Sequence, residues 1–156
     1  MSFNIRQKLY LYKKRNIMLT VTERLTYNNI EEKSIYEFIA ISREGIRYAT
    51  FDRMVKNSPF SLNEWANFLH ISERTLLRYK TDKKLFDSVQ SEKILQITML
   101  IKRGTEIFET LEIFSKWLSL ENVALGGINP KSLLDTSFGI SLINDELTRI
   151  EHGVFA

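Results

Sequence analysis

From Glu31 to the end of the chain, apolar residues return at the three- and four-residue spacing of helices. Ile35, Phe38 and Ile39 fall on one face, and Gly45 ends that segment. A second helix is expected over 47–56, with Phe51, Met54 and Val55 turned inward, before Pro59 breaks the chain. Further on, Val89–Ile101 carries Ile94, Ile97 and Ile101 on one stripe. Ile107, Leu111, Phe114 and Leu118 continue at helical spacing, and Ile140, Ile143, Leu147 and Ile150 do the same near the end. Between these segments Gly126-Gly127 predicts a turn with unusual backbone angles. Asn129 is placed to cap a short helix whose first position is Pro130, where a missing N–H costs nothing. The period changes only near the amino terminus. There Ile17, Leu19 and Val21 alternate with Met18, Thr20 and Thr22, the pattern of a strand. A lone strand must pair with something or serve as a mobile arm. The pattern predicts an all-α fold, with residues 1–30 set apart as an amino-terminal arm or strand.

One stretch is more specific than periodicity. In "SLNEWANFLHISERTLLRYK", Ser61 and Glu64 form a capping-box pair, and Leu62, Trp65, Ala66 and Leu69 make an apolar face. Ser72 caps a second helix carrying Leu76, Leu77 and Tyr79 after a short turn at His70 and Ile71. Two short helices, a tight turn and a small Ala at their contact describe a helix-turn-helix. The turn position usually favours Gly; here it is His70, a residue that visits the left-handed region more readily than most.

Charge sharpens this reading. Arg74, Arg78, Lys80, Lys83 and Lys84 cluster on the second helix and its exit, opposed there by Asp82. In helix-turn-helix geometry the second helix enters the major groove with its first residues at base edges. Glu73, Arg74 and Arg78 would reach toward bases, Thr75 toward a phosphate, and Lys80, Lys83 and Lys84 along the backbone. Arginine paired with guanine supplies specificity, and lysines supply salt-dependent affinity. A solvated basic face without a DNA role is the plain alternative. Along the whole chain the net charge of +3 is uneven: residues 1–30 carry +5, 31–103 carry +3 and 104–156 carry −5. A basic front and an acidic rear suit a protein whose two ends meet different partners.

Composition narrows the function classes. The chain has 156 residues, 44% of them hydrophobic, enough to bury a core in one domain or two small ones. With no cysteine there is no disulfide, no thiolate nucleophile and little basis for a structural zinc site, which suits a cytoplasmic protein. No apolar run approaches the roughly 18 residues of a membrane span, and the amino terminus lacks the continuous apolar region of a signal peptide. His70 and His152 have no metal-ligand spacing around them, and "ALGG" lacks the Lys-Ser/Thr of a phosphate loop. No carboxylate pair or Ser-base arrangement marks acid–base or nucleophilic work. The expectation is a binding protein without cofactor, metal or catalytic residues. In the rear half, spacing alone does not separate a packed helical bundle from a partner-binding module.

Three ordered motifs then carry a resemblance. Trp117-Leu118, "ALGG.NP..LLDT" from Ala124 to Thr136, and "L.RIEHGVFA" from Leu147 to Ala156 resemble the carboxy-terminal toxin-binding domain of the Xre/MbcA/ParS antitoxins. Upstream, "ISERTLLRYK" and "REGI" at Arg43–Ile46 are similar to that family's helix-turn-helix and its lead-in, so the likeness covers about residues 34–156. It departs at Tyr79, where the family pattern has the second Arg of "RRK", and at Glu109, where a Gly is common.

The resemblance implies a bacterial type II antitoxin partnered by a RES-domain toxin that consumes NAD or uses it to ADP-ribosylate a target. The front domain would form a homodimer and repress its own promoter. The carboxy-terminal segment would obstruct the toxin's active-site entrance, making Arg149, Glu151, His152, Gly153, Val154, Phe155 and Ala156 the expected toxin-facing set. Glu151 and the terminal carboxylate would meet a pocket built to hold phosphates, with Val154 and Phe155 filling apolar space. A terminal segment that merely clamps its own domain is the plain alternative. On this reading "ALGGINPKSLLDT" is a scaffold, its turn folding Leu133-Leu134 back on the 108–118 segment. The expected organisation is an arm over 1–30, a helix-turn-helix domain over 31–84 and a toxin-binding domain over 85–156. Two alternatives stay open: a free-standing transcription regulator whose rear half only dimerises, and an interaction protein that no longer binds DNA.

Overall fold

A computed structural model describes residues 25–153, so the alternation at Ile17, Leu19 and Val21 and the terminal Val154, Phe155 and Ala156 lie outside the described residues. Among the described residues seven α-helices run in order: α1 Ile35–Glu44, α2 Tyr48–Val55, α3 Leu62–Phe68, α4 Glu73–Thr81, α5 Ser88–Ile107, α6 Leu111–Ser119 and α7 Ser137–Glu151. Short 3-10 turns occupy Tyr27–Glu32, Val123–Leu125 and Pro130–Leu133. The fold is all-α; among the described residues the β contacts are the isolated bridges Arg47–Leu85 and Asn122–Ile128.

Helix starts follow the short polar side chains. Ser34 with Glu37, Ser61 with Glu64 and Asp87 with Gln90 close capping boxes at α1, α3 and α5. Thr110 and Thr136 accept the amides of Ile113 and Gly139 at α6 and α7. Gly45 ends α1 with φ +92°, an angle that strains any residue with a Cβ. Gly126 and Gly127 have φ +75° and +77°, making the expected turn ahead of Asn129, which caps the Pro130–Leu133 turn.

The core is continuous. Trp65 lies at its front, fully buried, edge-on to Phe51 with ring centroids 5.4 Å apart, its indole N–H donating to Ser58 Oγ at 2.9 Å. Phe51, Met54, Ala66, Leu69 and Leu76 close around it. The 20-residue α5 is the spine, packing against α1, α2, α6 and α7. Its Ser91 is buried, accepting the Ile46 amide at 2.9 Å and donating to the Phe86 carbonyl. One helix therefore serves both the helix-turn-helix and the rear helices. In the rear, Phe114, Leu118, Leu134, Ile140, Ile143 and Leu147 complete the core, and the Pro130–Leu133 turn lies against α6 and α7.

Three details differ from the periodicity. Ile41 is the buried residue of α1, whereas Ile35 and Ile39 are exposed; α1 carries apolar residues on two sides, and helical spacing does not say which meets α5. Leu77 and Val89 are exposed as well. The spacing through Ile107, Leu111, Phe114 and Leu118 is interrupted: Phe108 ends α5, Glu109 turns the chain at φ +67°, and α6 starts afresh at the Thr110 cap. The reversal lets Phe114 pack on Gly104, where a Cβ would stand 2.2 Å from the ring.

Candidate functional site

The helix-turn-helix is built as its sequence demands. The chain leaves α3 through His70, at φ +55°, and enters α4 at Ser72, whose hydroxyl accepts the Thr75 amide at 3.0 Å. Leu76 and Tyr79 face inward, which turns the opposite side of α4 to solvent.

The seven expected DNA-facing residues do not form one cluster. Arg74 and Arg78, four residues apart and exposed, share the outer face of α4. Glu73 is exposed and accepts from Asn63 Nδ2 of α3 at 3.3 Å, and the half-buried Thr75 places its hydroxyl 2.9 Å from that of Ser72. Both steady the helix start, so Thr75 has less reach than its neighbours. Lys80 and Lys83 lie on another flank, in a recess shared with Arg47, Tyr48, Ala49 and Asp52. Lys84 folds back over the Tyr79 ring, 5.1 Å from its centroid.

Arg47 is the residue that sequence reading missed. It is exposed and stands at the N-cap of α2. A cation there lies at the positive end of the helix dipole, and the two together make a local positive field suited to a phosphate. Its signal in the sequence was slight, a single Arg far from the basic run. Tyr79, at the position where the family pattern has Arg, is 8% exposed and packs on Phe86 at 5.2 Å, so it belongs to the core.

The rear site centres on the end of α7. Arg103 of α5 holds that end: Nη2 meets Glu151 Oε2 at 2.9 Å and Thr148 Oγ1 at 2.8 Å, and Nη1 reaches the Asn144 carbonyl at 3.3 Å. Glu151 is thus engaged within the chain. Arg149 is exposed and pairs with Glu146 at 3.4 Å, and His152 is exposed at the C-cap. Gly153 takes φ +67°, the left-handed helix stop.

The two halves meet through the "ALGGINPKSLLDT" segment. Lys131 Nζ lies 2.9 Å from Glu64 Oε1, and His70 Nε2 lies 2.8 Å from the Asp135 carbonyl oxygen, which Lys93 Nζ of α5 also reaches. Burial pushes the Lys93 ammonium below its ordinary pKa, against the opposing pull of the Asp135 charge. Burial pushes Glu64 upward, yet Lys131 and the Ser61 amide and hydroxyl outweigh it and hold the carboxyl below its ordinary range. Among the described residues no group of three or more His, Asp or Glu side chains is placed to hold a metal, and no helix is long and apolar enough to cross a membrane.

Comparison with known families matches two domains along the chain. Residues 37–98 match the antitoxin Xre-like helix-turn-helix domain, and residues 103–153 match the antitoxin Xre/MbcA/ParS C-terminal toxin-binding domain. The chain belongs to the Xre/MbcA/ParS antitoxin family. A Sphingobium protein named Prs ADP-ribosylating antitoxin is 24% identical over 144 residues, covering 86% of this chain and 91% of the relative. An antitoxin Xre from Photorhabdus laumondii is 25% identical over 74% of this chain and 78% of its own length. Another, from Yersinia enterocolitica, is 31% identical over 55% of this chain and 59% of its own. Within the Xre/MbcA/ParS frame, α1–α4 with the start of α5 form the helix-turn-helix domain, and the end of α5 with α6 and α7 forms the toxin-binding domain.

Proposed function

We propose that this antitoxin neutralises a RES-domain toxin, covering its NAD site with the carboxy-terminal segment that follows α7. It acts by binding and has no catalytic step of its own. The observation that carries the reading is the union, in one chain, of a helix-turn-helix with a domain of the toxin-binding family. The toxin consumes NAD or uses it to ADP-ribosylate a target; the printed name of the Sphingobium relative favours the second.

DNA binding by α4 forms the second half of the proposal. Arg74 and Arg78 read bases, and Arg47, Lys80 and Lys83 hold the phosphate backbone. The antitoxin represses its own promoter as a homodimer in the cytoplasm, since a paired helix-turn-helix reads two half-sites. The flank of α1 supports dimerisation: Ile35, Phe38 and Ile39 line a groove with Leu95 and Met99 of α5.

Growth rescue tests the toxin reading. The protein of the neighbouring open reading frame, expected to be the RES-domain toxin, is expressed with the full chain and, separately, with a chain ending at Gly153. That end point preserves the Arg103 contacts to Thr148 and Glu151. Rescue by the full chain alone, with the shortened chain still co-purifying, places inhibition in Val154–Ala156. Rescue by both moves inhibition into the rear domain, and rescue by neither favours the free-standing regulator.

A further inference from the structure

Residues 103–153, the part that matches the toxin-binding domain, leave six large apolar side chains exposed: Ile113, Leu120, Val123, Ile128, Phe138 and Leu142. Phe138 and Leu142 differ from the other four in their company. They lie four residues apart on α7, at 91% and 45% exposure. At 100° per residue, Phe138, Leu142, Asp145, Arg149 and His152 fall within about 80° of arc, and all five are exposed. The buried Ile140, Ile143 and Leu147 lie on the opposite side of the same helix. The Arg103 contacts use a flank, through Asn144, Thr148 and Glu151, and so leave the outer stripe clear.

We infer that this stripe is the main docking face for the toxin, with Phe138 and Leu142 as its anchors. The inference rests on the toxin reading above and adds where recognition takes place. The matched toxin-binding domain covers residues 103–153 and so contains the whole stripe. The stripe is the one helix face that runs from an exposed aromatic to Arg149 and His152, two residues already expected to face the toxin. A bare aromatic beside a bare Leu, followed by charged residues, has the form of an interface hot spot with a polar rim. Its occupant is a folded protein offering an apolar recess to Phe138 and Leu142 and a carboxylate to Arg149. Docking here would seat the end of α7 and deliver the terminal segment beyond it.

The test uses a catalytically inactive form of the neighbouring RES-domain protein, with affinity measured against three antitoxin chains. These are the wild type, the double variant Phe138→Gln/Leu142→Gln, and the chain ending at Gly153. The expected result is binding by the wild type, about hundredfold weaker binding by the double variant, and retained binding by the shortened chain. Hydrogen exchange on the wild-type complex should add protection over 137–149, a readout that holds even if the double variant folds poorly. Equal binding by the double variant would overturn the stripe while the toxin reading stands. So would loss of binding in the shortened chain, or new protection confined to 111–128 or 150–156. No binding by the wild type would overturn both.

Discussion

His70 Nε2 lies 2.8 Å from the carbonyl oxygen of Asp135, joining the turn of the helix-turn-helix to the residue before the cap of α7. A carbonyl only accepts, so the ring nitrogen must carry the proton and donate. Lys93 from α5 meets the same oxygen, and Lys131 pairs with Glu64 nearby. The Ala124–Thr136 segment is therefore more than a scaffold for the rear surface. It is where the rear domain takes hold of the helix-turn-helix.

Replacing His70 separates its two roles. His70→Ala keeps a Cβ at φ +55° and loses the bond to Asp135. The Asp135 oxygen keeps Lys93, so the expected cost is about 1 kcal/mol, that of an ordinary hydrogen bond. His70→Gly loses the same bond but relieves a left-handed strain of about 1 kcal/mol, so it should unfold close to wild type. Urea denaturation of the three proteins checks this. A Gly variant as weak as the Ala variant would remove the strain half of the account.

DNA contacts should divide by position. Arg74→Ala and Arg78→Ala should each cost about 1–3 kcal/mol and relax sequence preference. Arg47→Ala should weaken all sequences alike and lower the salt slope by about one. Titrating promoter and scrambled duplexes at several salt concentrations tests the division. An Arg47→Ala variant that changed preference instead would move that residue from backbone to base.

Much of this organisation was legible because it rests on local chemistry. Ser61 with Glu64, Ser72, Asn129 and Gly126-Gly127 announce their caps and turns through groups a few residues apart. What stayed hidden depends on tertiary contact. Ile35, Ile39 and Ile41 are alike to a pattern, and the placing of α5 decides which is buried. Glu109 at φ +67° interrupts a spacing that reads as continuous. Arg47 joins Lys80 and Lys83 only once α2 lies beside α4, and the exposure of Phe138 contradicts its own hydrophobicity. The basic run and the terminal motif could be read as candidates, but their division into faces could not.

Acid should loosen the contact between the two halves. The Glu64 carboxyl is held below its ordinary pKa, so the folded state favours its charged form. That contribution is fully present above the unfolded carboxylate range, near 4.3, and is lost as pH falls through the folded value. Glu64→Gln should therefore be less stable than wild type at neutral pH, and the gap should narrow as pH falls below the unfolded carboxylate range. Thermal melts of both proteins across that range measure it. A gap that stays constant with pH would mean that the charge of Glu64 adds nothing to the contact.

The flank of α1 gives the last prediction. Ile35 and Ile39 are 66% and 40% exposed and line the groove with Leu95 and Met99. Exposed neighbours on a helix offer little to the monomer, so a charge at Ile39 should leave the melting temperature nearly unchanged. Between two copies the same charge would be buried without a partner, a cost that breaks contacts of this kind. Ile39→Glu is thus expected to shift the protein from dimer to monomer in sedimentation equilibrium while the fold persists. Promoter affinity should fall with it, because each helix-turn-helix would then bind its half-site alone. A variant that stays dimeric would place the second copy elsewhere and leave Arg74 and Arg78 with their roles intact. A wild-type protein that sediments as a monomer would remove the homodimer from the proposal altogether.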